Sequence, residues 1–166
     1  MRTTNMKAKT RASNTTLEID IQYALDKDAD QSTLPQTTDF SNWVGAALSG
    51  RKEDAQLSIR IVDETESTYL NETYRHKTGP TNVLSFPAEY STEIPISLIG
   101  DIVICAPIVV KEARAQGKDT LAHWAHMTIH GTLHLLGFDH DNDNNAEKME
   151  SIEIDILKQL GFDNPY

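Results

Sequence analysis

The sequence predicts a single α+β domain, and three observations lead to that expectation. The 166 residues, 39% of them hydrophobic, fit one domain of ordinary size with one core. Segments with the two-residue alternation of strands dominate the first part of the chain, whereas segments with helical periodicity dominate the second. No repeat or internal linker divides the chain, so we expect residues 16–166 to form one domain.

The N-terminal segment, residues 1–15, has the composition of a tail. It is rich in Thr, Asn and Ser, carries four basic residues and contains no acidic residue. A segment of this kind buries too little apolar surface to offset the entropy of ordering. We therefore expect residues 1–15 to be disordered.

Four segments predict strands. Residues 17–25 (LEIDIQYAL) and 56–62 (QLSIRIV) alternate apolar and polar side chains, as half-buried strands do. Residues 83–86 form a short apolar run that Pro87 stops, and 98–105 (LIGDIVIC) is the most β-prone run of the chain. These segments supply the sheet of the predicted domain.

Five segments predict helices. Asp39 is placed to cap a helix that runs to Leu48, and residues 64–75 have helical character. Pro107 suits the first turn of a helix over 107–115, and Asp119 or Thr120 can cap the next helix, which runs to residue 136. The last helix, 145–160, has an apolar stripe formed by Met149, Ile152, Ile156 and Leu160.

Charge and cysteine content limit the setting of the protein. Lys and Arg number 15 against 25 Asp and Glu, a net charge of −10, which by itself argues against a nucleic-acid partner. Cys105 is the only cysteine and lies in an apolar run, so we expect a buried thiol and no internal disulfide. The sequence has neither a run of about 18 apolar residues nor an apolar secretory signal. We expect a cytoplasmic protein without a membrane partner.

The strongest functional signal is a group of histidines. Five of the six histidines lie between residues 123 and 140. His130 and His134 are four residues apart on a predicted helix, so both rings lie on one face. Gly137 is placed to end that helix and reverse the chain, which would bring His140 back to the same point. Three imidazoles with one open position are typical of a catalytic zinc ion, although nickel, copper and iron also accept imidazole.

The other residues of this segment have different interpretations. His123 and His126 lie on the preceding turns of the same helix, and we assign them packing roles or contacts that support the metal ligands. Trp124 is interpreted as a core residue. The spacing HxxxHxxGxxH is that of the metzincin proteases, but those enzymes place a glutamate directly after the first histidine as general base. Gly131 stands at that position here, which disfavours proteolysis.

A second cluster lies in residues 71–87. Arg75 and Lys77 precede the Gly79-Pro80 turn, and an arginine there can present its planar fork to a phosphate. The alternative for Arg75 is a solvated side chain at a helix end.

Three segments together resemble the YbeY family of bacterial endoribonucleases. They are LNETYRHKTGPTNVLSFP (70–87), LIGDIVIC (98–105) and HWAHMTIHGTLHLLGFDH (123–140), and the resemblance runs from about residue 57 to residue 165. It implies a mixed sheet packed with helices and one Zn²⁺ ion on His130, His134 and His140. It also implies cleavage of single-stranded RNA, 3′-end maturation of 16S ribosomal RNA, and ribosome quality control. The family's important arginine falls on Arg75, and Asn82 replaces an aspartate of many relatives.

The resulting hypothesis is metal-dependent hydrolysis of an RNA phosphodiester, with Arg75 and His130 as catalytic residues. The nucleophile is water or the 2′-hydroxyl, and Asp139 is either a base that assists the site or a loop residue. A groove lined by further cations, with a ribosomal partner, would offset the negative net charge; the candidates are Arg51, Lys52, Lys77, Lys111 and Arg114. The alternatives are a metalloprotease-like hydrolase and a non-catalytic, zinc-containing ribosome assembly factor.

Overall fold

The computed structural model describes residues 2–12, 15–89 and 97–166. Its strands are β1 (Arg2–Ala12), β2 (Thr15–Leu25), β3 (Ala55–Val62), β4 (Val83–Pro87) and β5 (Leu98–Cys105). Its helices are α1 (Thr37–Leu48), α2 (Glu64–Leu70), α3 (Ala106–Gln116), α4 (Thr120–Leu135) and α5 (Asp143–Gln159), with a π-helical turn, Asn71–Arg75, directly after α2.

The five strands form one mixed sheet in the order β1-β2-β3-β5-β4. The three central strands, β2, β3 and β5, are parallel, whereas β1 and β4 are antiparallel to their neighbours. Parallel neighbours require crossover connections, and α1 supplies the one between β2 and β3. The predicted α+β class and the mixed sheet are confirmed.

Alternation along the central strands sends isoleucines to one face of the sheet. Six of them, two from each central strand, are fully buried under α1 and α4, and they are Ile19, Ile21, Ile59, Ile61, Ile102 and Ile104. Trp124 of α4 is completely buried and meets Phe40 of α1 edge to face at 6.1 Å between ring centroids. Trp124 is therefore a core residue, as predicted. This face fixes α4, the helix that carries the histidines.

A smaller apolar cluster covers part of the opposite face. It combines alternate residues of the central strands with β4, namely Ala24, Val62, Leu84, Val103 and Cys105. Burial raises the pKa of the Cys105 thiol, which is free and buried as the sequence predicts. Within the described ranges, no helix has the length and apolar content needed to cross a bilayer.

The N-terminal segment differs from its prediction. Most of the expected disordered tail forms β1, which pairs along its whole length with the outer edge of β2, from Arg2 opposite Leu25 to Ala12 opposite Thr15. Residues 3–7 are exposed, so this part of the strand contributes backbone hydrogen bonds rather than core side chains. Composition alone indicated disorder, because composition contains no information about a strand elsewhere in the chain with which the segment can pair.

Candidate metal centre

Helix α4 begins and ends at residues that fix its orientation. The Asp119 side chain accepts a hydrogen bond from the Ala122 amide at 3.2 Å, which confirms the predicted cap. At the other end Gly137 adopts a left-handed conformation with φ of 95°, and the Phe138 amide donates to the Leu133 carbonyl at 3.1 Å. The chain thereby reverses directly after the second histidine of the pair.

The reversal brings three histidine rings together. His130, His134 and His140 each offer a ring nitrogen, and these atoms all lie within 4.8 Å of one another. The Nε2 atoms of His130 and His134 are 3.0 Å apart, and the His140 ring centroid lies 5.6 Å and 5.1 Å from those of His130 and His134. The predicted convergence of the three side chains is present in the structure.

The hydrogen bonds on the far side of two rings define their tautomers. His134 Nδ1 lies 2.8 Å from the Phe138 carbonyl oxygen, and His130 Nδ1 lies 2.5 Å from Oε1 of Glu153. Both partners are acceptors, so each Nδ1 carries a hydrogen, and in the tautomer with that single ring hydrogen Nε2 of each ring keeps its lone pair. Two lone pairs that face each other at 3.0 Å repel unless a cation lies between them. The donor set therefore fits a divalent metal ion.

The protonation state of His134 also favours metal binding. Burial first, and then the neighbouring His130 and His140, lower the pKa of His134 from 6.5 to about 4. The ring is consequently neutral at neutral pH, which is the form that binds a metal.

A fourth side chain, Glu153 of α5, lies beside the three rings and contacts one of them. Its carboxylate is fully buried and contacts His130 through Oε1 and His126 through Oε2, at 3.3 Å in the second case. The Tyr166 hydroxyl also donates to Oε2. Burial raises the pKa of the Glu153 carboxyl, but the hydrogen bonds from His126 and His130 outweigh this effect and hold the pKa below its usual range. Glu153 is therefore ionised.

Glu153 was not predicted from the sequence, although the sequence contains a signal for it. Glu153 lies four residues after Met149 and three before Ile156, so it occupies the apolar stripe of the last helix. A glutamate within such a stripe is expected to be buried. A buried carboxyl group is rare unless it is paired with another polar group. The partners could have been sought among the histidines.

The two remaining histidines of α4 are buried beside this group. His126 contacts Glu153, and His123 lies with Nε2 3.3 Å from Oε1 of Glu112. Burial lowers the pKa of His123. Both residues thus pack in the interior behind the three convergent rings.

Gly131 faces the sheet rather than the convergent rings. A Cβ atom at this position would lie 2.9 Å from Cγ2 of Ile102, 3.2 Å from Oγ of Ser85 and 3.3 Å from Cγ2 of Val83. Ser85 also donates a hydrogen bond to the Gly131 carbonyl at 3.0 Å. A glutamate at this position, as in metzincins, would have no space between α4 and the sheet, so this fold excludes a general base there.

Arg75 lies apart from the histidines in sequence, at the end of the π-helical turn that replaces the last part of the predicted helix 64–75. It is exposed and makes no hydrogen bond or ion pair with the part of the chain that the structure describes. The next residue, His76, has a φ of 57°, an uncommon conformation for a residue other than glycine. π turns and such strained residues concentrate at functional sites.

The loop that follows Arg75 is fixed by side chains of α2 and the π-helical turn. Asn71 donates to the Gly79 carbonyl at 2.8 Å, and Glu72 accepts from the Gly79 amide at 3.2 Å. Ser67 exchanges two hydrogen bonds with the backbone of Thr81. Arg75 is therefore presented to solvent from a fixed turn.

Several other candidate residues have structural contacts. Asp139 accepts from the backbone amide of His140 at 2.8 Å, which is a contact within the loop. Asn82 donates to Glu112 and accepts from the Val83 amide. Arg51 donates to carbonyls at the end of α1, and Arg114 lines a cavity of about 960 Å³ beside the acidic loop after β2.

Comparison with known proteins places the chain in a family. The family model described as Endoribonuclease YbeY matches residues 10–161. This chain belongs to the endoribonuclease YbeY family. The match begins well before residue 57, where the resemblance in the sequence was expected to start, and it includes β2 and the end of β1.

Individual relatives agree with the family model. Two proteins named Endoribonuclease YbeY, from Xanthomonas campestris pv. campestris strain B100 and Xanthomonas oryzae pv. oryzae strain MAFF 311018, are 50% and 51% identical to this chain. Each alignment is 154 positions long and covers 90% of this chain and 93% of the relative. The solution structure of TM1509 from Thermotoga maritima has a similar fold, with a TM-score of 0.56, 24% identity, and coverage of 83% and 88% of the two chains.

Membership of the YbeY family agrees with the metal-centre geometry. The convergent histidines can hold a metal ion, and the position of Gly131 removes the glutamate on which metzincin peptidases depend. The resemblance recognised in the sequence is thereby confirmed at the level of the family.

Proposed function

We propose that this protein is a metal-dependent endoribonuclease that cleaves single-stranded RNA, with one Zn²⁺ ion held by His130, His134 and His140. The observation that carries the proposal is the convergence of three ring nitrogens within 4.8 Å, with the Nε2 atoms of His130 and His134 3.0 Å apart. When bound there, a zinc ion supplies a Lewis acid and activates water for hydrolysis of a phosphodiester.

Arg75 is proposed to bind the phosphate of the RNA backbone. Its guanidinium is exposed, has no partner among the described residues and stands on a fixed turn, so its fork is available to a ligand. Charge that develops on the phosphoryl oxygens during cleavage would be stabilised by this group. His130 is the second proposed catalytic residue, because it is one of the proposed ligands of the metal ion.

The negative net charge predicts weak intrinsic affinity for RNA. Four aspartates, Asp26, Asp28, Asp30 and Asp63, line the cavity that also contains Lys27 and Arg114, so the lining of this cavity is net negative. Affinity for RNA depends mainly on the number of cations that contact phosphates. We propose that a ribosomal partner supplies the remaining affinity. The protein would then act in the cytoplasm, in 3′-end maturation of 16S ribosomal RNA and in ribosome quality control.

The decisive experiment measures cleavage of RNA by purified protein, with and without a chelator. The substrates are a duplex with single-stranded tails, the same duplex without tails, and a precursor fragment that contains the 3′ end of 16S ribosomal RNA. We expect cleavage of the tails only, loss of activity with chelator and restoration by Zn²⁺. The His134→Ala variant, prepared in parallel, excludes a contaminating nuclease.

Arg75→Ala tests the phosphate contact separately from the metal. We expect the cleavage rate to fall about 100-fold or more, as when a single group that stabilises a transition state is removed, while bound zinc is unchanged. Arg114→Ala, which removes an exposed arginine elsewhere, controls for net charge and should retain activity. Full activity of Arg75→Ala would refute its role, and metal-dependent cleavage of peptides instead of RNA would refute the proposed substrate.

A further inference from the structure

We propose that Glu153 is the positioning residue of the metal centre, and that its carboxylate fixes the ring of His130 in the orientation and tautomer that bind the ion. This inference rests on the proposed metal-dependent function. Tyr166 and His126 contact the same carboxyl group, so a chain of hydrogen bonds extends from Tyr166 through Glu153 of α5 to His130.

The burial of Glu153 is the first argument. Of the Asp, Glu, Lys and Arg residues that the structure describes, only Glu153 is buried, and none of its surface is exposed. An ion in the interior is costly, and an apolar residue of similar size is often at least as favourable for the fold. Met149 and Ile156 flank the position on the same apolar stripe, so a leucine or methionine at 153 would continue it. The retention of a carboxylate points to a role beyond packing.

The pattern of hydrogen bonds is the second argument. Both oxygens of the Glu153 carboxyl group face groups that can donate a hydrogen bond, namely Nε2 of His126, Nδ1 of His130 and the Tyr166 hydroxyl. The contact with His130 forces its hydrogen onto Nδ1 and leaves the lone pair on Nε2. Nε2 is the atom that lies 3.0 Å from Nε2 of His134. The carboxylate therefore selects the tautomer that the site requires.

The three ligands differ in how their rings are supported. His134 donates to the Phe138 carbonyl, which belongs to the turn after its own helix. The ring of the exposed His140 makes no hydrogen bond to the residues that the structure describes. Among the described residues, His130 is thus the one ring of the three that has a hydrogen-bond partner on a separate helix, and that partner is Glu153. Histidines that bind metals generally need such a partner for their other ring nitrogen, and its loss weakens metal affinity about 10–100-fold.

Two neighbours determine where the carboxylate lies. Tyr166 and His126 both donate to Oε2, which leaves Oε1 free for His130. The Tyr166 ring also meets the His126 ring edge to face, with centroids 5.3 Å apart. Removal of the Tyr166 hydroxyl should therefore loosen Glu153 without changing its charge.

Glu153→Gln is the primary test because the side chain keeps its shape but gains an N–H donor. The amide N–H of the glutamine would face a ring N–H of His126 or His130, and two donors cannot form a hydrogen bond. That histidine must therefore change tautomer or rotate away. We expect the dissociation constant for Zn²⁺, measured by competition with a chromogenic chelator, to rise about 10–100-fold. The visible absorption spectrum of the Co²⁺-loaded protein should change as the ligand geometry changes. Tyr166→Phe should shift both measurements in the same direction but less, and Glu147→Gln, an exposed change on the same helix, should shift neither.

Nitrogen NMR of the histidine rings gives a direct readout without metal. In the metal-free wild type, the inference requires the hydrogen of His130 on Nδ1, and in Glu153→Gln a mixture of tautomers. A purely structural role would lower the melting temperature of the metal-free variant and leave the tautomer of His130 unchanged. If Glu153→Gln does not fold, the wild-type tautomer and the zinc affinity of Tyr166→Phe decide the question.

The outcomes separate this inference from the proposed function. A wild type that neither binds zinc nor cleaves RNA would refute both. A wild type that does both, together with a Glu153→Gln variant whose zinc affinity stays within about threefold, would refute the role of Glu153 alone. A hydrogen on Nε2 of His130 in the metal-free wild type would also refute it.

Discussion

Replacement of Gly131 with alanine should destabilise the fold, although the same change stabilises most helices. In a helix interior alanine is favoured over glycine by about 1 kcal/mol. At position 131, however, the new Cβ would lie 2.9 Å from Cγ2 of Ile102, a branched and fully buried side chain of the sheet. Overpacking of this kind costs about 1–3 kcal/mol. The two effects together predict a net loss of up to about 2 kcal/mol in the free energy of unfolding.

Gly45 provides a matched control within the same protein. It also lies inside a helix, α1, but a Cβ there would meet only Cδ2 of Leu17 at 3.9 Å, an ordinary contact. Gly45→Ala should therefore stabilise the protein by roughly 0.5–1 kcal/mol. Since 1 kcal/mol corresponds to about 2–4 °C for a domain of this size, the two variants should melt on opposite sides of the wild type.

Thermal unfolding followed by circular dichroism, with a chelator present throughout, measures the fold without the metal. Gly131→Glu extends the test to the peptidase question, because its carboxylate would be forced toward the sheet. We expect it to unfold at a lower temperature than Gly131→Ala and to cleave no peptide in the presence of Zn²⁺. A Gly131→Ala variant that melts above the wild type, as Gly45→Ala should, would refute the close approach of α4 to the sheet.

Three further outcomes follow from the site and the core. Zn²⁺ should raise the melting temperature of the wild type by mass action, whereas His134→Ala should show no such rise; an equal rise in both would place the ion elsewhere. Between pH 6.5 and about 4, His134 is protonated in the unfolded chain but not in the folded chain, because its pKa is lowered on folding. The metal-free protein should therefore lose stability as the pH falls through this window. A flat profile of melting temperature against pH would contradict the lowered pKa of His134. The buried thiol of Cys105, with its raised pKa, should react with iodoacetamide much more slowly in the folded than in the unfolded protein, and equal rates would show that it is accessible.

The histidine site was predictable because its geometry is local. A spacing of four residues on one helix and a glycine that ends it determine where the rings of His130, His134 and His140 can lie, and the structure brings them together. Glu153 was not predicted, since its contact with His130 joins two separate helices. Only the polar residue on an apolar stripe signals it in the sequence.

The sheet shows the same division between local and distant information. Alternation located β2 and β3, because it reports which face of a strand is buried, and β propensity located β5. The order β1-β2-β3-β5-β4 and the existence of β1 depend on pairing between segments distant in the chain. The side chains of residues 3–7 are exposed, so they contain no pattern of burial from which the strand could be recognised.

The short separation in sequence of the three proposed metal ligands also affects how metal binding is coupled to folding. All three rings come from one helix end and the reversal after it, so an ion there closes only a short loop of chain. A short loop costs little entropy to close, and the unfolded polypeptide therefore retains much of its ability to chelate the ion. An ion that binds both states stabilises the fold by less than its affinity implies. Metal starvation should consequently produce a folded reserve of inactive protein that recovers when zinc returns, rather than a pool lost to degradation.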